Sequence, residues 1–147
     1  MTDPIRVLSI RQPWAYLVAS GIKKIENRTW TTRYRGPVLI HAGRRWDDEP
    51  IEKIEKRFGI TIPHDLPRGG IVGIAGVCGV ITRGANPYFL GPYGFVLVGA
   101  RRLPYMPMRG ALGLRLAPTA LVRSIDSKIV DDVSAAVARS QLTARRI

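Results

Sequence analysis

At 147 residues the chain has the length of one ordinary domain, and its 46% hydrophobic content supplies enough apolar side chain for a core. A net charge of +12, from 23 Lys and Arg against 11 Asp and Glu, points to a polyanionic partner, because clustered cations gain affinity by releasing counterions from phosphates. Cys78 is the single cysteine, which excludes an intramolecular disulfide; MTDPIRVLSI lacks the apolar core of a secretory signal and no apolar run reaches a membrane span, so a soluble cytoplasmic protein is expected.

In chain order, Arg6 to Ile10 predicts a short strand, with Val7, Leu8 and Ile10 as its apolar positions. Pro13 suits a first helical turn and Gly21 the left-handed residue after a helix; between them Trp14, Leu17 and Val18 share one face, with Trp14 expected in the core. Ile25 to Trp30 can extend as a strand, and PVLIHA, Pro37 to Ala42, is a stronger one. Ile51, Ile54 and Phe58 follow the acidic run Asp47-Asp48-Glu49 at helical spacing and stop at Gly59, which predicts a surface helix whose N-terminus favours those acids. IVGIAGVCGVIT is the longest strand signal, and its glycines at 73, 76 and 79 suit a strand that bends in a barrel. Gly94 to Leu103 and Ala111 to Leu116 predict further strands. Ile129, Val133 and Val137 predict a third helix over Ser127 to Leu142, with the tail Thr143 to Ile147 frayed.

Several chemistries are missing from the pattern. No phosphate-binding G-x-x-x-x-G-K loop occurs, and GIAGVCG has the wrong spacing for a dinucleotide fingerprint. His41 and His64 lack companions at metal-ligand spacing, so neither a metal nor a cofactor is expected. Cys78 lies in apolar strand, where a thiol is buried and inert, and His41 within PVLIHA reads as a hydrogen-bonded strand histidine.

The segments SIRQPWA, GIKKIENR and YRGPVLIHA together resemble the ASCH domain, a family named for homology to the activating signal cointegrator and similar to PUA domains. Its hallmark G-x-K-x-x-E-x-R is met by Gly21, Lys23, Glu26 and Arg28, and the likeness continues through Gly69 to Gly73, GPYGFVLV and RGALGL, covering about residues 5 to 117. The resemblance implies an α+β fold in one domain, a small mixed β-barrel of PUA-like type with about three helices packed around it. It also implies a cleft at the hallmark residues that accepts RNA or a nucleoside.

Three roles fit the trio Lys23, Glu26 and Arg28. As an exposed salt-bridge network they would fasten helix to barrel and be weakly stabilising. As a binding group, Lys23 and Arg28 would meet phosphate or base edges while Glu26 accepts from an amino group such as that of cytosine. As a catalytic group, Lys23, desolvated beside its neighbours, would act as base or nucleophile activator, and for RNA cleavage Lys23 and Glu26 would act as acid and base. On the binding reading, Lys23→Ala and Arg28→Ala are expected to weaken RNA binding with thermal stability nearly unchanged. Strand alternation from Lys24 would put Lys24, Glu26 and Arg28 on one face. Gln12 at the helix start, Arg33, Arg35, Arg44 and Arg45 as a phosphate track with Arg101 and Arg102, and Tyr93 or Tyr88 as a stacking ring complete the expected binding surface. Small relatives of the family hydrolyse the amide of 4-acetylcytidine with the hallmark lysine, a threonine and a carboxylate from a later strand. Here Glu26 replaces the threonine, and Ile71 to Thr82 contains no Asp or Glu. Other relatives have been proposed to cleave RNA.

Overall fold

The structure, a computed structural model, describes residues 4–146, with side chains through residue 141. Six strands and four helices follow one another as β1 (Arg6–Gln12), α1 (Trp14–Ala19), β2 (Ile25–Arg28), β3 (Gly36–Trp46), α2 (Ile51–Phe58), β4 (Gly70–Ile81), β5 (Tyr93–Pro107), β6 (Arg115–Leu116), α3 (Thr119–Arg123) and α4 (Ser127–Arg146). The strands form one mixed sheet in the order β2-β5-β4-β3-β1-β6, parallel only between β1 and β3. The α+β class is as expected. The barrel is not: among the described residues β2 and β6 remain edges, and no backbone ladder joins them. The sheet nonetheless curls, because the Arg28 guanidinium on β2 donates to the Ser9 carbonyl on β1 at 2.7 Å although four ladder steps separate the two strands. A side chain stands at the seam where a closed barrel would have backbone pairing.

Helix α1 shows how local sequence starts an element. Its N-cap position is Pro13, whose side chain cannot cap. The Gln12 side chain supplies the acceptor instead, taking the Tyr16 N–H on Oε1 at 3.0 Å while its Nε2 donates to the Pro67 carbonyl at 2.9 Å. Gly21 at φ +77° then reverses the chain, and the Lys23 N–H folds back onto the Leu17 carbonyl at 3.0 Å. Leu17 is fully buried against Ile54 of α2 and Ile62, a small apolar cluster that fastens α2 over α1. Gly59 ends α2 at φ +65°, as the sequence indicated.

The glycines of β4 coincide with irregularities against β5 at 73, 76 and 79, consistent with the bending expected, and two of them have a further use. A Cβ at position 73 would lie 2.5 Å from the Ala19 Cβ of α1, and one at position 76 would lie 2.4 Å from Val137 Cγ2 of α4. Residues an odd number apart on a strand face opposite sides, so α1 and α4 clamp β4 from its two faces. Bulges against β5 accompany this packing and bend the strand pair.

His41 is buried at 1% exposure and hydrogen-bonded as expected: the Ser9 hydroxyl lies 3.1 Å from Nδ1 and the Met108 carbonyl 2.6 Å from Nε2. Ser9 Oγ also accepts from the Ala111 N–H, which ties residues 108–111 to the sheet and leaves only Arg115 and Leu116 of the expected Ala111 to Leu116 strand to pair with β1. Strand β5 is longer than expected, α3 has no counterpart in the sequence reading, and α4 continues through Arg146 where fraying was expected; Ile147 lies outside the described residues. No described helix is long and apolar enough to cross a membrane.

Removing the glycine at the α1 contact should overpack it. Gly73→Ala is expected to cost about 1–3 kcal/mol of unfolding free energy. Gly79→Ala, whose Cβ would meet nothing within 4 Å, should be neutral or stabilising by about 0.5 kcal/mol. Urea denaturation of the two variants measures the difference, and equal midpoints would contradict the clamp.

Candidate functional site

The turn after α1 delivers Lys23 to Glu26, the second residue of β2. Lys23 Nζ donates to Glu26 Oε1 at 2.6 Å, and Arg28 donates through one terminal nitrogen to Glu26 Oε2 at 3.0 Å and to the Ser9 carbonyl. Side-chain exposure is 5% for Lys23, 8% for Glu26 and 21% for Arg28. The weakly stabilising exposed network is therefore excluded: this is a largely buried charge cluster. Arg28 Nε is buried with no hydrogen-bond partner among the described residues, so the guanidinium is held from one end only. Lys24, expected beside Glu26, is exposed; the regular strand begins at Ile25, too late for alternation to carry Lys24 to that face.

A pocket of about 380 Å³ opens beside the pair Lys23 and Glu26. Three rings wall it. Trp14 comes from α1, Phe58 from the last turn of α2, and Tyr88 from the segment before β5. Phe58 and Tyr88 stack with centroids 4.1 Å apart and planes 19° off parallel, and Trp14 meets Phe58 edge-on at 6.2 Å. The Lys23 ammonium also stands 5.7 Å from the Trp14 ring, within range of a cation–π attraction. Trp14, expected in the core, is half-buried: it packs against two core clusters and also walls the pocket, where its indole N–H donates to Asp47 Oδ2 at 2.9 Å. Phe95 is core, fully buried across β2 from Glu26.

The β3–α2 connection adds charges that the sequence reading gave to a helix terminus. Asp47 Oδ1 accepts the Glu49 N–H at 2.8 Å, and Glu49 forms a bidentate pair with Arg57 at 2.7 and 3.0 Å. The pocket thus holds three carboxylates (Glu26, Asp47, Glu49) against two cations (Lys23, Arg57), and both cations are already paired. Among the described residues no group of three or more His, Cys, Asp or Glu is disposed to hold a metal ion.

Asn27 fixes the opposite wall. Its Nδ2 donates to the Tyr88 carbonyl at 2.9 Å, and its Oδ1 accepts from the N–H groups of Leu90 and Gly91 at 2.8 and 3.1 Å. Three hydrogen bonds from one side chain hold the segment that carries Tyr88. Asn27, Asp47, Glu49, Arg57 and Phe58 were missed; only the D-D-E run marked any of them.

The other expected residues lie elsewhere. Gln12 is 1% exposed and lines a separate cavity on the far side of α1. Tyr93 pairs with Arg28 on β5 outside the pocket lining. Arg33 and Arg35 precede β3, whereas Arg44 and Arg45 stand near its far end, so most of an 11-residue strand, roughly 30 Å, separates the two groups. They therefore do not share one end of the sheet. Arg35 instead donates to the Thr32 and Tyr34 carbonyls, and Arg101 pairs with Asp132 of α4. Cys78 is half-buried, and burial pushes its thiol above the usual range, opposed by weaker hydrogen-bonding and Arg35 contributions.

Glu26→Ala would leave Lys23 as an unpaired buried cation and is expected to destabilise the fold by about 3–5 kcal/mol. Arg57→Ala, which breaks a much more exposed pair, should cost under about 1 kcal/mol. Thermal melts of both variants test the contrast. The same burial reverses the expectation that Lys23→Ala leaves stability unchanged.

A model of the ASCH domain matches residues 8–88, more than half of the chain. Activating signal cointegrator 1 of Mus musculus is 34% identical over 73 residues, covering 45% of this chain and 13% of that protein. The Homo sapiens protein of the same name is 32% identical over 73 residues with the same coverage, so the match spans a small part of either relative. Crystal structures of a tyrosine-to-phenylalanine and a serine-to-alanine variant of ZmASCH from Zymomonas mobilis superpose with a TM-score of 0.57 at 13% identity, covering 83% of this chain and 96% of theirs. That likeness concerns the fold alone. With Lys23 and Glu26 of the hallmark lining one pocket, Arg28 bonded to Glu26 behind them and the family model spanning all three, the chain belongs to the ASCH domain family.

Proposed function

We propose that the chain binds single-stranded RNA or a nucleoside, with one unstacked base entering the pocket beside Glu26. The observation that carries this reading is a carboxylate pinned by two cations at the edge of a pocket walled by three aromatic rings. A base presents flat π-faces to such rings, and stacking is worth roughly 1–3 kcal/mol per base. An ionised carboxylate accepts but does not donate, so it selects bases carrying an exocyclic amino group, such as cytosine or adenine, over uracil. Because Lys23 and Arg28 hold both carboxylate oxygens, the acceptor is fixed before the ligand arrives, and little ordering cost remains. The acid-rich lining disfavours phosphate at the same place.

Hydrolysis of a modified cytidine is a second reading, supported by one observation. β4 carries no acid, but the β3–α2 connection brings Asp47 and Glu49 to the pocket that contains Lys23, so a second carboxylate is available from another element. RNA cleavage would draw on the same lysine and acids.

Titration with cytidine, followed by calorimetry, tests binding. Tyr88→Ala is expected to weaken cytidine about five- to hundredfold, the range set by one stacked ring. Uridine should bind more weakly than cytidine, and equal affinities would remove Glu26 from base selection. Incubation with 4-acetylcytidine decides the second reading: turnover lost in a folded Lys23→Met variant would establish it, and no turnover in the native chain would leave binding alone.

A further inference from the structure

The Glu26 pocket is poorly suited to phosphate, yet the chain carries an excess of +12. Exposed arginines without carboxylate partners occur at several places, and three of them meet at one aromatic ring. Among the described residues, Arg44, Arg68 and Arg102 are all exposed and none has an acidic oxygen at salt-bridge distance. They surround Tyr105, an aromatic residue left 45% exposed on β5.

Tyr105 is held in place although it faces solvent. Its hydroxyl donates to the Arg68 carbonyl at 2.9 Å, and its ring covers Gly70 so closely that a Cβ there would lie 2.5 Å from a ring carbon. Arg68 in turn donates to the Arg44 carbonyl at 2.9 Å, and the Arg44 side chain runs past Gly69 beside the tyrosine hydroxyl. Arg102 shares with Tyr105 a cavity of about 400 Å³ that also reaches Tyr16 of α1. This cavity and the Glu26 pocket lie on different sides of α1, the first against Tyr16 and the second against Trp14.

We infer that this corner, Tyr105 with Arg44, Arg68 and Arg102, is a second contact surface for single-stranded nucleic acid, in which the ring stacks a base and the guanidinium groups take the neighbouring phosphates. Guanidinium groups suit this task because they pair with phosphate oxygens through two parallel N–H donors and are weakly hydrated. A ring that is already immobilised loses no rotamer freedom when a base stacks on it. The inference extends the nucleic-acid reading but rests on residues apart from the Glu26 pocket, so either can stand without the other.

The test compares a ten-nucleotide single-stranded RNA with free cytidine, on the native chain and on folded variants checked by circular dichroism. Arg44→Gln with Arg102→Gln is expected to weaken the oligonucleotide several-fold at 100 mM salt and to flatten the plot of log affinity against log salt by about 1.4, the value for two lost phosphate contacts on a single strand. The Arg44 substitution spares the main-chain carbonyl that anchors Arg68. Tyr105→Ala should weaken the oligonucleotide about fivefold or more, and Tyr105→Phe, which keeps the ring, much less. Cytidine affinity should be unchanged in all of them. Native affinity and salt slope in the double variant would overturn the inference. So would an equal loss in Arg83→Gln with Arg115→Gln, two exposed arginines elsewhere, because bulk charge would then suffice. Loss of cytidine binding in the native chain with the oligonucleotide results intact would instead count against the Glu26 pocket alone, and absence of both ligands against both.

Discussion

The arrangement depends on one carboxylate. Glu26 is nearly buried, and what keeps it there is the pair of donors arriving from opposite directions: Lys23 out of the turn after α1 and Arg28 from its own strand. A buried carboxylate alone would be prohibitively costly, and so would either cation. Arg28 goes on to the Ser9 carbonyl, so the same ion cluster that shapes the pocket also draws the free edge of β2 toward β1. Site and curvature of the sheet are therefore one electrostatic device, which explains why its members sit so close together in the sequence.

That device separates two tasks that the net charge alone would merge. The pocket is aromatic and acid-rich, whereas three exposed arginines with no salt bridge among the described residues, Arg44, Arg68 and Arg102, lie near Tyr105. A basic protein need not present cations at its ligand pocket. Here the hallmark cations hold an acceptor, and the exposed positive charge lies on residues outside the hallmark.

Much of this was legible in the residues. Gly21 and Gly59 marked the ends of α1 and α2 because a left-handed backbone selects glycine, and the apolar runs of β3 and β4 marked buried strands. The hallmark spacing marked Lys23, Glu26 and Arg28, and they do converge. What the sequence hid depends on distant packing. Trp14 reads as core from its helical spacing, but its bond to Asp47, 33 residues later, also sets it in the pocket wall. Asp47 and Glu49 read as dipole partners because such acids are common before helices. Asn27, a variable position inside the hallmark, has no local signal for binding the segment before β5. The arginine pairs lie near opposite ends of β3, a separation that their pairing in sequence does not reveal.

The glycines of β4 carry a last consequence. Ala19 and Val137 press on main chain at positions 73 and 76, where there is no side chain to rotate aside. A bulkier residue on either helix could be admitted only by translating that helix bodily away from the sheet, and on the α1 side this would drag Trp14 along with it. The spine of the molecule thus has no rotameric slack, and the position of Trp14 in the wall of the Glu26 pocket is inherited from the methyl group missing at residue 73.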